Sequence, residues 1–151
     1  MNVVHALDAL LRSDDEEYDR LDLFLEADEL IRELQPADVP ALLTLWQQRD
    51  LSWQQRFTQA SSNIDGAVLC ALLAGLLQIK AAPFGVFELM ARMPPVADHS
   101  ALSDALLDYA EQAWHAHQER QRQIQISCWS CGLSGRLLKR LGFSAWKDAG
   151  L

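Results

Sequence analysis

Apolar and polar residues recur along most of the chain with the three-to-four-residue period of amphipathic helices. A first short helix is predicted over about Val3 to Leu11. Ser13 or Asp14 can cap a second, which the pattern carries to about Leu34. Gln35-Pro36 breaks it, because proline disfavours helix in the residue before it. Asp38 is a candidate cap for a third helix through about Arg49, with Pro40 tolerated in its first turn. Its apolar positions are Leu42, Leu43, Leu45 and Trp46. Ser52 and Gln55 read as a capping box for a fourth helix, Trp53 to about Ala60. After Ser61-Ser62-Asn63, Asn63 or Asp65 can cap a fifth, to about Ile79. Its run Gly66 to Leu77 is apolar enough to be buried on nearly all sides.

The second half is less regular. Phe84 to Met93 reads as a short helix or irregular apolar piece stopped by Pro94-Pro95. Asp98 or Ser100 opens a long amphipathic helix with the stripe Leu102, Leu106, Tyr109, Ala113 and Trp114. Gln123-Ile124-Gln125-Ile126-Ser127 alternates, which predicts a short strand. Leu133 to Leu141 reads as a last helix with Gly142 as its stop. Phe143 to Lys147 is a candidate partner strand. The expected fold is mainly α, a single helical domain over 1–151, with antiparallel helix pairs and at most one short β-hairpin near the C-terminus.

The predicted second helix carries an unusual polar face. Asp15, Asp19, Asp22, Glu26, Glu29 and Glu33 are spaced by four, three, four, three and four residues. At roughly 100° per residue they fall within about 40° either side of one line. Leu21, Phe24, Ala27, Leu30, Ile31 and Leu34 occupy most of the remaining circumference. Like charges at these spacings repel by roughly 0.2–0.5 kcal/mol per pair. Such a face is either solvated or neutralised by a basic partner.

Charge across the whole chain sharpens that choice. The formal net charge is −8, which argues against a general nucleic-acid binder, whose affinity needs cations against phosphates. Residues 14–33 hold ten acids and two arginines, whereas residues 112–151 hold six Lys/Arg (Arg120, Arg122, Arg136, Lys139, Arg140, Lys147) against Glu119 and Asp148. Intramolecular pairing of the two ends is the alternative to an external partner. The 151 residues suffice for a real core. The apolar runs are too short to span a membrane, and Met1-Asn2-Val3-Val4-His5 lacks the features of a secretory signal. Three cysteines make no disulfide framework, so a cytoplasmic protein with reduced thiols is expected.

Ala37-Asp38-Val39-Pro40-Ala41-Leu42-Leu43, followed by Trp53-Gln54-Gln55-Arg56-Phe57-Thr58-Gln59-Ala60, resembles a helical repeat of the HEAT type. Helix pairs of this kind have an apolar face that only stacked neighbours can cover. The resemblance takes in residues about 7–80, with 81–151 a less regular continuation. The opening, with Arg12-Ser13-Asp14-Asp15, an acidic helix and Pro36-Ala37-Asp38-Val39-Pro40, resembles small bacterial HEAT-like proteins, some of which are immunity proteins of toxin systems. The resemblance implies a basic, nuclease-like toxin domain as partner and carries over no catalytic residue.

Residues 101–146 resemble the closing part of Gcn5-related N-acetyltransferases. Leu106-Leu107-Asp108-Tyr109-Ala110 looks like the helix after their pyrophosphate loop. Ile124-Gln125-Ile126-Ser127 looks like the next strand, and Arg136-Leu137-Leu138-Lys139-Arg140-Leu141-Gly142-Phe143 like the terminal helix. The resemblance implies acetyl-CoA chemistry. However, the loop position reads Met93-Pro94-Pro95-Val96-Ala97-Asp98-His99-Ser100, with no glycine and with prolines that remove phosphate-binding donors.

Other chemistry has simpler explanations. Cys128-Trp129-Ser130-Cys131, between a predicted strand and helix, suggests a redox pair, but the βαβ context is missing and packed cysteines are the plainer reading. A zinc site needs two more ligands, and His115 and His117 point to different helix faces. His5 and His99 lie near helix ends. Of the five tryptophans, Trp46 and Trp114 lie on apolar stripes, and Trp53 is either core or an interface anchor. The expectation is a non-catalytic binding module without metal or cofactor. Its candidate partner-binding residues are Asp15, Asp19, Asp22, Glu26, Glu29, Glu33 and Trp53. An acetyltransferase-like enzyme and a general HEAT-type scaffold are the alternatives.

Overall fold

A computed structural model describes residues 2–95 and 100–151. Val96, Ala97, Asp98 and His99 lie outside the described residues, and with them the candidate cap Asp98, the candidate His99 and part of the proline-containing loop. Three quarters of the described residues are helical, and none of them is in a strand. The α-helices are α1 (Val3–Leu11), α2 (Asp15–Arg20), α3 (Leu23–Arg32), α4 (Val39–Gln48), α5 (Leu51–Gln59), α6 (Gly66–Gln78), α7 (Pro83–Met90), α8 (Ala101–Ala116), α9 (Gln121–Ser130) and α10 (Ser134–Leu141). Short 3-10 turns cover Pro36–Asp38, Gln118–Arg120 and Trp146–Ala149. The chain divides into two compact units, Met1–Ala81 and Ala82–Leu151.

Local side-chain chemistry starts five of the ten described α-helices. Asp14 accepts the amide N–H of Glu17 at 2.8 Å, and Asp65 accepts those of Ala67 and Val68. Ser100 accepts that of Ser103 at 3.1 Å. These contacts satisfy donors that the first helical turn leaves free. Two caps differ from the pattern. Asp50, not Ser52, caps α5 by accepting the Trp53 amide at 3.0 Å. Asp38 folds back on the Gln35 amide at 2.8 Å, closing the 3-10 turn before α4.

Three further expectations are corrected. The second helix is not continuous. Asp22 takes up the left-handed conformation (φ 50°, ψ 40°) and separates α2 from α3, as aspartate does more readily than most residues. The alternating segment around Ile124 is helix α9, and residues 143–147 form no strand, so the β-hairpin is absent. In α9, Ile124, Ser127 and Cys128 are buried at helical spacing, so packing overrides the two-residue period. Finally, α6 is not buried all round: Ala67, Cys70 and Ala74 are exposed.

In the first unit α1 packs chiefly on α3 and α4 on α6. Gly75 lets α4 and α6 approach closely, because a Cβ there would lie 2.3 Å from Leu43 Cδ1. Trp46, Trp53 and Phe57 form the aromatic centre of the unit, with ring centroids 5.6–5.8 Å apart. Such pairs add about 0.5–1.5 kcal/mol each beyond area burial. The second unit is built from α7 against α9 and α8 against α10. Phe87 packs on Tyr109, and Trp114 on Trp146. Gly142, at φ 81°, ends α10 as its stop.

Candidate functional site

The six carboxylates expected on one helix face are divided by the break at Asp22. Asp15 and Asp19 lie on α2, Asp22 at the junction, Glu26 and Glu29 on α3, and Glu33 at its C-cap. All six are exposed. Among the described residues, the ion pairs of segment 14–33 are Asp15 with Arg56 and Asp28 with Arg32. Within the first unit, among the described residues, the acidic surface thus stays largely uncompensated by cations. Glu33 occupies the negative end of the α3 dipole, where a carboxylate costs about 0.3–1 kcal/mol.

The break also changes what the carboxylates surround. Leu21, Phe24 and Leu25 are 49%, 41% and 58% exposed, although the helical pattern assigns Leu21 and Phe24 to the apolar side. Ala27, Ile31 and Leu34 are buried as that pattern predicts. The exposed apolar residues alternate in sequence with Asp19, Asp22 and Glu26. Apolar groups with a charged border are typical of contact surfaces.

A second feature adjoins them on α3. Glu26, Glu29, Leu30 and Glu33 form, with Ala6, Ala9 and Leu10 of α1, a groove of about 490 Å³. The α1 contribution had a sequence signal. Ala6, Ala9 and Leu10 follow helical spacing beside the buried set Val4, Leu7 and Leu11, so α1 has a second apolar stripe.

Trp53 is not a surface anchor. It is 2% exposed, and its indole N–H donates to Asp8 Oδ1 at 3.0 Å. Asp8 also accepts from Arg49 Nε at 2.9 Å and Nη2 at 2.8 Å. This network ties α1 to the end of α4 and to α5, and it has no pattern in the sequence. The Arg49 hydrogen bonds, against the opposing effect of burial, hold the Asp8 carboxyl below its usual range. Beside it, Arg56 reaches the carbonyls of Leu11 and Ser13 and lies 4.2 Å from the centre of the Tyr18 ring.

In the second unit, Trp129 is 74% and Ile126 53% exposed, bordering a concavity of about 250 Å³ with Arg122, Gln125 and Trp146. Arg136 pairs with Asp104, and Arg140 with Asp108 and Glu111. Two of the six C-terminal cations are therefore engaged by α8. Cys128 and Cys131 are buried at the C-terminal end of α9. Burial pushes both thiols up, the reverse of what an activated thiolate needs. Among the described residues no group of three His, Cys, Asp or Glu is placed to hold a metal ion, and no helix is long and apolar enough to cross a membrane. Comparisons with protein-family profiles, curated proteins and solved structures yield no match.

Proposed function

We propose that this chain is a non-catalytic protein-binding module, and that its α2–α3 surface docks a cationic protein domain. The reading extends to an immunity protein of HEAT-like type that neutralises a basic toxin. The observation that supports it is the exposed set Leu21, Phe24 and Leu25 among carboxylates that the described cations of the first unit leave mostly unpaired. Apolar side chains would supply affinity. The carboxylates would steer a positive partner and speed its encounter. The fold tolerates their mutual repulsion because each is solvated.

The test is to express any cationic toxin-like domain encoded by a neighbouring gene and to measure its binding by titration calorimetry and stopped flow. The expected result is association whose on-rate falls as salt rises. Asp22→Lys with Glu26→Lys should weaken binding by about tenfold or more while helical circular dichroism is retained. Unchanged affinity in that double variant would remove the surface from the interface and overturn the proposal.

A further inference from the structure

We infer that the groove between α1 and α3 is the seat of a basic amphipathic helix supplied by the partner, an inference that rests on the binding reading above. Ala6, Ala9 and Leu10 from α1 and Leu30 from α3 give the groove its apolar lining. The small alanines leave room for another helix to approach closely. Glu26, Glu29 and Glu33 supply its charge, and among the described residues no basic one lines it. The charge therefore selects a cationic occupant, and the apolar lining selects one that also has hydrocarbon to bury.

The spacing of the carboxylates narrows the choice further. At about 1.5 Å rise per residue, Glu26 to Glu33 spans about 10 Å, or roughly two helical turns. No three acidic side chains converge as a metal site would require, among the described residues. The three charges are set out for separate cations along an elongated ligand. Lysine and arginine on successive turns of a helix meet that requirement. Their aliphatic stems cover apolar surface while their charged ends reach outward. An apolar stripe between them would rest on the alanines and leucines.

The probe is a fluorescein-labelled designed helix with a leucine stripe flanked by lysines, followed by fluorescence anisotropy at low salt. Its controls are a scrambled peptide of the same composition and a version with glutamate for lysine. The inference expects the lysine helix to bind the wild-type chain at least about tenfold more tightly than either control. It also expects Ala9→Trp, which fills the groove from an exposed position, to weaken that binding by a similar factor. Glu29→Lys with Glu33→Lys should do the same, and serves if the tryptophan variant fails to fold. No binding by wild type, equal binding of the scrambled peptide, or unchanged binding in a folded groove variant would overturn the inference. The wider reading fails separately. If Ala9→Trp binds the cationic toxin domain like wild type while Asp22→Lys with Glu26→Lys does not, only the groove assignment falls.

Discussion

The guanidinium of Arg49 grips the carboxylate of Asp8 through two parallel hydrogen bonds of 2.9 and 2.8 Å. Because Trp53 donates to the same carboxylate, one aspartate joins three segments of the first unit. Such a two-pronged pair is both directional and stronger than a neutral hydrogen bond.

Replacing Asp8 with asparagine should therefore cost about 2 kcal/mol near neutral pH, the order expected for lost hydrogen bonds to a charged group. The pH dependence has a definite sign. The folded carboxyl is held below its unfolded value, so its contribution is present above the ordinary aspartate range. That contribution is lost as pH falls through the folded value. Urea unfolding at a series of pH values should show the gap between wild type and Asp8→Asn narrowing as pH falls below the ordinary aspartate range. A gap that stays constant would separate Asp8 from the acid dependence of stability.

Asp22 carries a different cost. Its φ of 50° is left-handed, and its side chain makes no cap to α3. Glycine removes the Cβ that disfavours this conformation. Asp22→Gly should raise stability by about 0.5–1 kcal/mol, while Asp22→Val should lower it by at least about 1 kcal/mol. Thermal unfolding of both variants checks this. Destabilisation by glycine would mean that the acidic side chain contributes more to the fold than its backbone costs.

Thiol labelling distinguishes the three cysteines. Cys70 is exposed, whereas Cys128 and Cys131 are buried with raised thiol pKa values. A thiol-specific reagent should titrate one group rapidly in the native protein and all three after denaturation. Rapid native labelling at Cys128 or Cys131, located by mass spectrometry, would contradict their placement in the core of the second unit.

Much of the helical framework was legible because its signals are local. Proline at 36, aspartate at 14 and 65, serine at 100 and glycine at 142 act on backbone groups only a few residues away. The acidic character of segment 14–33 was equally plain. The shape of the candidate surface was not. A uniform helical period hides a left-handed residue, because aspartate suits both a solvated helix face and the junction at Asp22. The same break leaves Leu21 and Phe24 exposed rather than packed.

The sequence by itself determined a helical chain with an acidic first third, since capping, periodicity and charge need no distant partner to be read. Only the tertiary structure decided that Ile124 belongs to a helix, that Trp53 is held inside by Asp8 and that Ala6 and Ala9 share a groove with Glu29. Those outcomes depend on which surfaces meet. Burial and side-chain pairing join residues far apart along the chain, and a local pattern names an apolar stripe without saying which surface it meets.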